Sequence, residues 1–238
     1  MSDEPLFDLG PVPYVEPTPR WVRVRAGDDW IADSRRALLL SWYGPGRLPT
    51  YCFPEEDVRT DLLEADAKLA AAAQRLAGLA PPLDAANGHW TFSWDGRVSW
   101  FEEALEVHVH ARDPHKRVDV VPSERHVRIE VGGVTVAESR RPHALFETTL
   151  PTRWYLPFGD VRRDLLEPSA TVTMCPYKGT AAYWSVRTGD GIARDVAWSY
   201  ADPVPECPRI RGLVTFLNER ADVHLDGELQ PRPVSPFS

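Results

Sequence analysis

Period-two alternation of apolar and polar residues runs through most of this chain and predicts β-strands. Val127, Ile129 and Val131 alternate with His126, Arg128 and Glu130. Gly132-Gly133 then supplies a two-residue turn into Val134-Thr135-Val136, which predicts a hairpin with a primed turn. Gly27-Asp28 predicts the same turn between Val22-Arg23-Val24-Arg25 and Trp30-Ile31. One segment departs from this rhythm. In ADAKLAAAAQRLAGLAPP, Leu69, Ala73, Leu76 and Ala80 share a helical face and Pro81-Pro82 makes a stop, which predicts a helix over about 61–79. Residues 1–20 hold five prolines and few anchoring aliphatics and predict an extended or mobile arm. The tail 231–238 has the same character.

The two hairpins belong to a longer internal match. Val22–Arg36 (VRVRAGDDWIADSRR) aligns without gaps on Val127–Arg141 (VRIEVGGVTVAESRR) with seven of fifteen positions identical, and Phe53–Glu64 aligns on Leu156–Glu167 with eight of twelve. Chance gives about two matches in the two windows together, so the spacing predicts a duplicated unit. A period of about 105 residues suits two small domains, not a solenoid. The expected boundaries are an arm at 1–20, a first and degenerate copy at 21–107, a structured linker at 108–119, a complete second copy at 120–230 and a tail at 231–238. The copies diverge where the second continues as TVTMCPYKGTAAYWSVRTGDGIARDVAWSY and the first has the Ala-rich segment, so a Cys-Pro-Tyr-Lys-Gly turn occurs only in the second. The two are expected to pack as an intramolecular pseudo-dimer, the chain as a whole being a monomer or weak homodimer.

Composition narrows the class. At 238 residues and 43% hydrophobic, the chain can bury a sizeable core. Its net charge of −8, with basic residues scattered among acids, argues against a nucleic-acid partner. No run of about 18 apolar residues predicts a membrane span. Asp3, Glu4 and Asp8 stand where a signal peptide carries basic residues, so a cytoplasmic location is expected. Three cysteines without a C-x-x-C pair predict free thiols. His108 and His110 have chelate spacing but no third placed ligand, so neither a metal nor any other cofactor is expected.

The candidate chemistry collects in the second copy. Cys175 enters a tight turn with Lys178 three residues on, so an ammonium can stabilise a reactive thiolate, although Pro176 and Gly179 also explain the turn by themselves. Arg140, with Arg141 beside it, can grip a carboxylate or phosphate, or pair structurally with Glu147 or Asp160. Tyr177, Tyr183 and Trp198 can line a ligand groove with an apolar body and a polar tip. The expected site is therefore Cys175 and Lys178 for catalysis, and Arg140, Tyr177, Tyr183, Trp198 and Glu147 for ligand binding. Paired carboxylates beside a Gly-rich phosphate loop, as nucleotidyl transfer uses, have no match in the chain.

Ala137-Glu138-Ser139-Arg140, Trp154-Tyr155-Leu156-Pro157 with Asp160-Val161, Cys175–Gly179 followed by Tyr183-Trp184-Ser185-Val186, and Ala197-Trp198-Ser199-Tyr200 with Pro203 carry a resemblance. With them the chain resembles domain of unknown function 427, a family of bacterial and fungal proteins also labelled a nucleotidyltransferase domain. Residues 126–228 match nearly throughout. Residues 21–64 match a partial copy that lacks the Cys-Pro-Tyr-Lys-Gly hairpin. The resemblance implies a mainly β fold of the β-tent-like (Mss4-like) class, small antiparallel sheets leaning together over a groove. The function expected is binding of a small anionic or aromatic metabolite in a groove of the second domain. An enzyme using Cys175 or Lys178, and a structural or protein-interaction module, are the alternatives.

Overall fold

The computed structural model describes residues 13–44, 47–189 and 191–235. The fold is mainly β, built from antiparallel sheets with two short α-helices among the described residues, none of whose helices is long and apolar enough to cross a membrane. The chain divides into two compact units between Pro114 and His115.

The first unit centres on a four-stranded sheet in the order Asp29–Ser34, Val22–Ala26, Ser99–Glu102, Leu105–Val107. Val22, Val24 and Ile31 are fully buried and share one core cluster with Trp100, the ladder partner of Val24. A second sheet joins Tyr14–Pro17, Leu38–Ser41 and Thr50–Cys52. Residues 14–17 are therefore not an arm but an edge strand pairing with Leu38–Ser41, and the Tyr14 hydroxyl donates to Asp113 at 2.6 Å. The prolines here are tolerated because an edge strand needs donors on one side only. The part of the expected arm at 1–12 lies outside the described residues.

The predicted helix over 61–79 is corrected to two short pieces, Thr60–Ala65 and Ala67–Ala70, followed by a strand, Ala73–Arg75, paired with Trp90–Phe92. Asp66 interrupts the helix: its backbone is extended and its carboxylate accepts from the Lys68 and Leu69 amides, capping a new start. Alanine propensity then yields to tertiary pairing, because the strand brings Leu76 into a pocket with Leu40, Cys52 and Ala86.

The second unit has a four-stranded sheet in the order Val134–Ser139, Val127–Val131, Asp222–Leu225, Glu228–Leu229. Over it leans a seven-stranded sheet in the order Val118–Pro122, His143–Glu147, Arg153–Pro157, Leu213–Phe216, Gly191–Ser199, Gly179–Thr188, Leu166–Cys175. Val118–Pro122 shifts the start of this unit: part of the expected linker is sheet. Ile129, Val136, Leu156, Val214 and Phe216 form the core between the two sheets. The tail is also ordered as far as it is described, with Arg232 bonding Asp222 at 3.0 Å and the Ser235 hydroxyl donating to Glu219.

The two predicted hairpins share their geometry. Each closes on the two-residue turn read from sequence, Gly27-Asp28 or Gly132-Gly133, and each carries a register shift at the same point, after Val24 or Ile129. In each, a serine hydroxyl and an arginine converge on one aspartate. Ser34 and Arg36 hold Asp57 in the first unit, and Ser139 and Arg141 hold Asp160 in the second. Those aspartates tie the segment after the hairpin back to the sheet, and the arginine fork holds each carboxyl below the usual range.

Candidate functional site

Alternation sorts the aromatic residues of the seven-stranded sheet onto its two faces. Trp154, Leu156, Val214 and Phe216 face the four-stranded sheet. Leu145, Tyr155, Trp198, Tyr200 and Cys207 form a separate apolar cluster, with Tyr183 packed against it. Tyr183 lies opposite Trp198 in the ladder and stacks on it at 6.1 Å. The Tyr177 and Tyr183 side chains are half-buried, whereas Trp198 is buried at 8% exposure and serves as core. Burial pushes the phenols of Tyr155 and Tyr200 far above their ordinary value, so they stay protonated.

The Cys175–Gly179 turn packs against this cluster. Gly179 has φ +108°, and a Cβ there would lie 3.2 Å from the Asp202 carbonyl oxygen, so only glycine lets the turn close on that neighbouring loop. Lys178 is buried and its ammonium donates to the Glu147 carboxylate. Lys116 approaches the other Glu147 oxygen at 3.4 Å and lies 5.8 Å from the Tyr177 ring. Lys116 was missed in the sequence because it sits 31 residues from its partner, on the far side of a strand pairing. The structure thus gathers Lys178, Glu147, Lys116 and Tyr177, and the Lys178 charge is paired with Glu147, in a setting where leaving it unpaired is costly. The ammonium expected beside the Cys175 thiolate and the carboxylate expected to bind a ligand are each other's partners.

Arg140 does not join this group. It is exposed at the end of Val134–Ser139, in the other sheet, and its neighbour Arg141 makes the fork to Asp160. Of the two roles the sequence left open for the arginine pair, Arg141 takes the structural one.

Cys175 is half-buried, while Cys52 and Cys207 are buried. Burial pushes the Cys52 thiol up to about 12 and the Cys207 thiol up to about 11. Iodoacetamide at pH 8 is therefore expected to modify Cys175 in the native protein and leave the other two intact until the protein unfolds, as peptide mass mapping can check. Equal labelling of all three in the native state would contradict this packing.

The second unit opens at the mouth between its two sheets. A cleft of about 430 Å³ is lined by Trp154, Phe146, Val121, Leu225 and Arg125, with Pro231 and Pro233 of the tail along one side. The Arg125 guanidinium lies 5.8 Å from the Trp154 ring centroid and is held by Asp226 at 2.8 Å. Cys175, Lys178, Tyr183 and Trp198 do not line it. Sequence reading missed the cleft because its walls come from strands about 100 residues apart. The one available signal was Trp154 alternating with Tyr155, which sends one ring to each face.

One family model, described as a domain of unknown function (DUF427), matches the chain over residues 14–72 and 119–227. No curated protein matches it.

Proposed function

The chain belongs to the family described as a domain of unknown function (DUF427), and within it we propose that the second unit is a small-molecule-binding module of β-tent type. Its ligand is a planar or apolar body carrying an anionic group. The observation that supports this reading is the cleft between the sheets, which combines the volume of a small-molecule site with an indole wall and one guanidinium at its mouth. Phe146, 49% exposed, offers apolar area to a ring beside the largely buried Trp154, and the Arg125 N–H groups not taken by Asp226 offer charge-assisted hydrogen bonds to a carboxylate. The matched hairpins of the two units support duplication as the origin of the architecture, with the cleft described above belonging to the second unit.

A naphthalene-2-carboxylate titration followed by tryptophan fluorescence tests this. Saturable quenching is expected. Arg125→Gln is expected to weaken binding about 10-fold, the value of one charge-assisted hydrogen bond. Phe146→Glu is expected to abolish binding without unfolding the protein, because Phe146 is already 49% exposed. Quenching unchanged by both substitutions would place the probe elsewhere and remove the proposal.

A further inference from the structure

The first unit carries a different arrangement on the outer face of its four-stranded sheet. Alternation turns Val22 and Val24 inward and Arg23 and Arg25 outward. In the ladder Arg25 lies opposite Trp30, and Arg23 opposite both Asp33 and Phe101. Beside them is a hollow lined by Trp21, Asp33, Arg35, Arg36 and Asp57.

Charge accounting in this hollow leaves two groups over. Arg36 grips Asp57 through two hydrogen bonds of 3.1 and 2.9 Å and also meets Glu56 at 2.8 Å, and Ser34 completes the Asp57 carboxylate, so the Arg36 charge is compensated. Arg35 makes no ion pair among the described residues. Its guanidinium stacks over the Trp21 ring at 4.7 Å, which leaves its N–H edges available. Asp33 accepts one hydrogen bond, from the Trp21 indole N–H at 2.7 Å, and meets no cation within 4.0 Å among the described residues. Arg23, across the ladder from Asp33, instead donates to the Glu103 carbonyl oxygen at 2.7 Å and stacks on Trp21 at 3.9 Å. The lining of the hollow therefore presents Arg35 and Asp33, two residues apart beside an indole ring and without an ion-pair partner among the described residues, while Arg23 on the same ring and the Glu103 carboxylate, which accepts from the Trp21 backbone N–H at 2.8 Å, stand next to it.

The aligned positions of the second unit make the same contact with a different ring. His126 stands where the first unit has Trp21, and Glu138 where it has Asp33. There the imidazole bonds the carboxylate directly at 2.7 Å. The first unit has an indole there, whose N–H donates to the acid at the same 2.7 Å but which, unlike an imidazole, cannot protonate to neutralise it.

We infer that this hollow binds a small zwitterion of the amino-acid class. Its carboxylate is received by Arg35, its ammonium by Asp33, and its apolar or aromatic part lies against Trp21. A ligand of this kind satisfies both leftover charges at once, whereas a simple anion or cation meets a like charge as well as its counter-charge. The hollow belongs to the first unit alone and shares no lining residue with the cleft of the second.

The Trp21 indole N–H is a built-in reporter, because it already bonds Asp33. In ¹H–¹⁵N spectra of the full chain, its resonance is assigned by its loss in Trp21→Phe. It is then followed with three probes: L-phenylalanine, 3-phenylpropionate, which lacks the ammonium, and 2-phenylethylamine, which lacks the carboxylate. Phenylalanine is expected to bind at least about 10-fold more tightly than either, one charge-assisted contact separating each pair. Asp33→Asn is expected to erase its advantage over phenylpropionate, and Arg35→Gln its advantage over phenylethylamine. Both residues are exposed, and unchanged resonances from the other tryptophans confirm that the variants fold. Equal binding of all three probes overturns the inference, as does phenylalanine affinity that neither substitution alters.

Discussion

Glu219→Gln is expected to destabilise the second unit by about 3–5 kcal/mol, because it removes one charge from a buried pair and leaves the other in place. Arg153 grips Glu219 through two parallel hydrogen bonds of 2.7 Å, and the side chains are only 7% and 1% exposed. Glutamine keeps the shape but presents a neutral oxygen to one nitrogen of the fork and an N–H group to the other. The guanidinium cannot return to water without opening the sheet. Chemical denaturation of the variant measures the loss, and a cost below about 1 kcal/mol would contradict the burial described here. Arg153→Met with Glu219→Leu together should recover most of the stability, since removing both charges leaves nothing to desolvate.

The same pair sets an acid limb. Burial raises the Glu219 carboxyl, but the Arg153 fork and the Ser235 hydroxyl outweigh it and hold the group below its ordinary value. A carboxyl whose folded value lies below its unfolded value, about 4.3, stabilises the fold above that pH. That contribution is lost as pH falls through the folded value. Wild-type stability should thus decline on acidification below about pH 4, and the Glu219→Gln variant should lack this part of the decline.

Trp100→Ala is expected to cost the first unit about 3–5 kcal/mol. Trp100 is 2% exposed and stacks on Trp94 at 4.3 Å with the rings 5° from parallel. Phe53, Phe92 and Tyr51 surround it at 5.7, 6.1 and 6.2 Å, and its indole N–H donates to the Ser93 carbonyl oxygen at 3.1 Å. Truncation leaves a cavity among rigid rings that cannot collapse into it and orphans a carbonyl. Hydrogen exchange of the amides in Val22–Ala26 and Ser99–Glu102 should accelerate to match the measured loss. Trp100→Phe should restore part of it. Protection that survives alanine would mean the unit is not centred on this residue.

The site divides differently from the fold between what sequence reading could reach and what it could not. Cys175, Tyr177 and Lys178 were correctly expected to share a tight turn, because Pro176 and Gly179 impose the turn locally. Whether Lys178 faces a ligand or a carboxylate depended on Glu147 and Lys116, neither of which is near it in the chain. Arg125 and Trp154 meet only because strands far apart in sequence lean over one another. Asp33 and Arg35 were visible as residues, yet their lack of ionic partners became readable only when Arg36 was seen to take Asp57.

The sequence by itself determined the two matched hairpins, their two-residue turns and the correspondence of Ser34, Arg36 and Asp57 with Ser139, Arg141 and Asp160, since alternation and turn chemistry act over a few residues. Tertiary structure alone decided that an alanine-rich stretch breaks at Asp66 and joins a sheet, and that Lys178 is neutralised. It also decided that an opening lies beside Trp154. Those outcomes depend on which distant groups reach a side chain first, and neither propensity nor spacing encodes that.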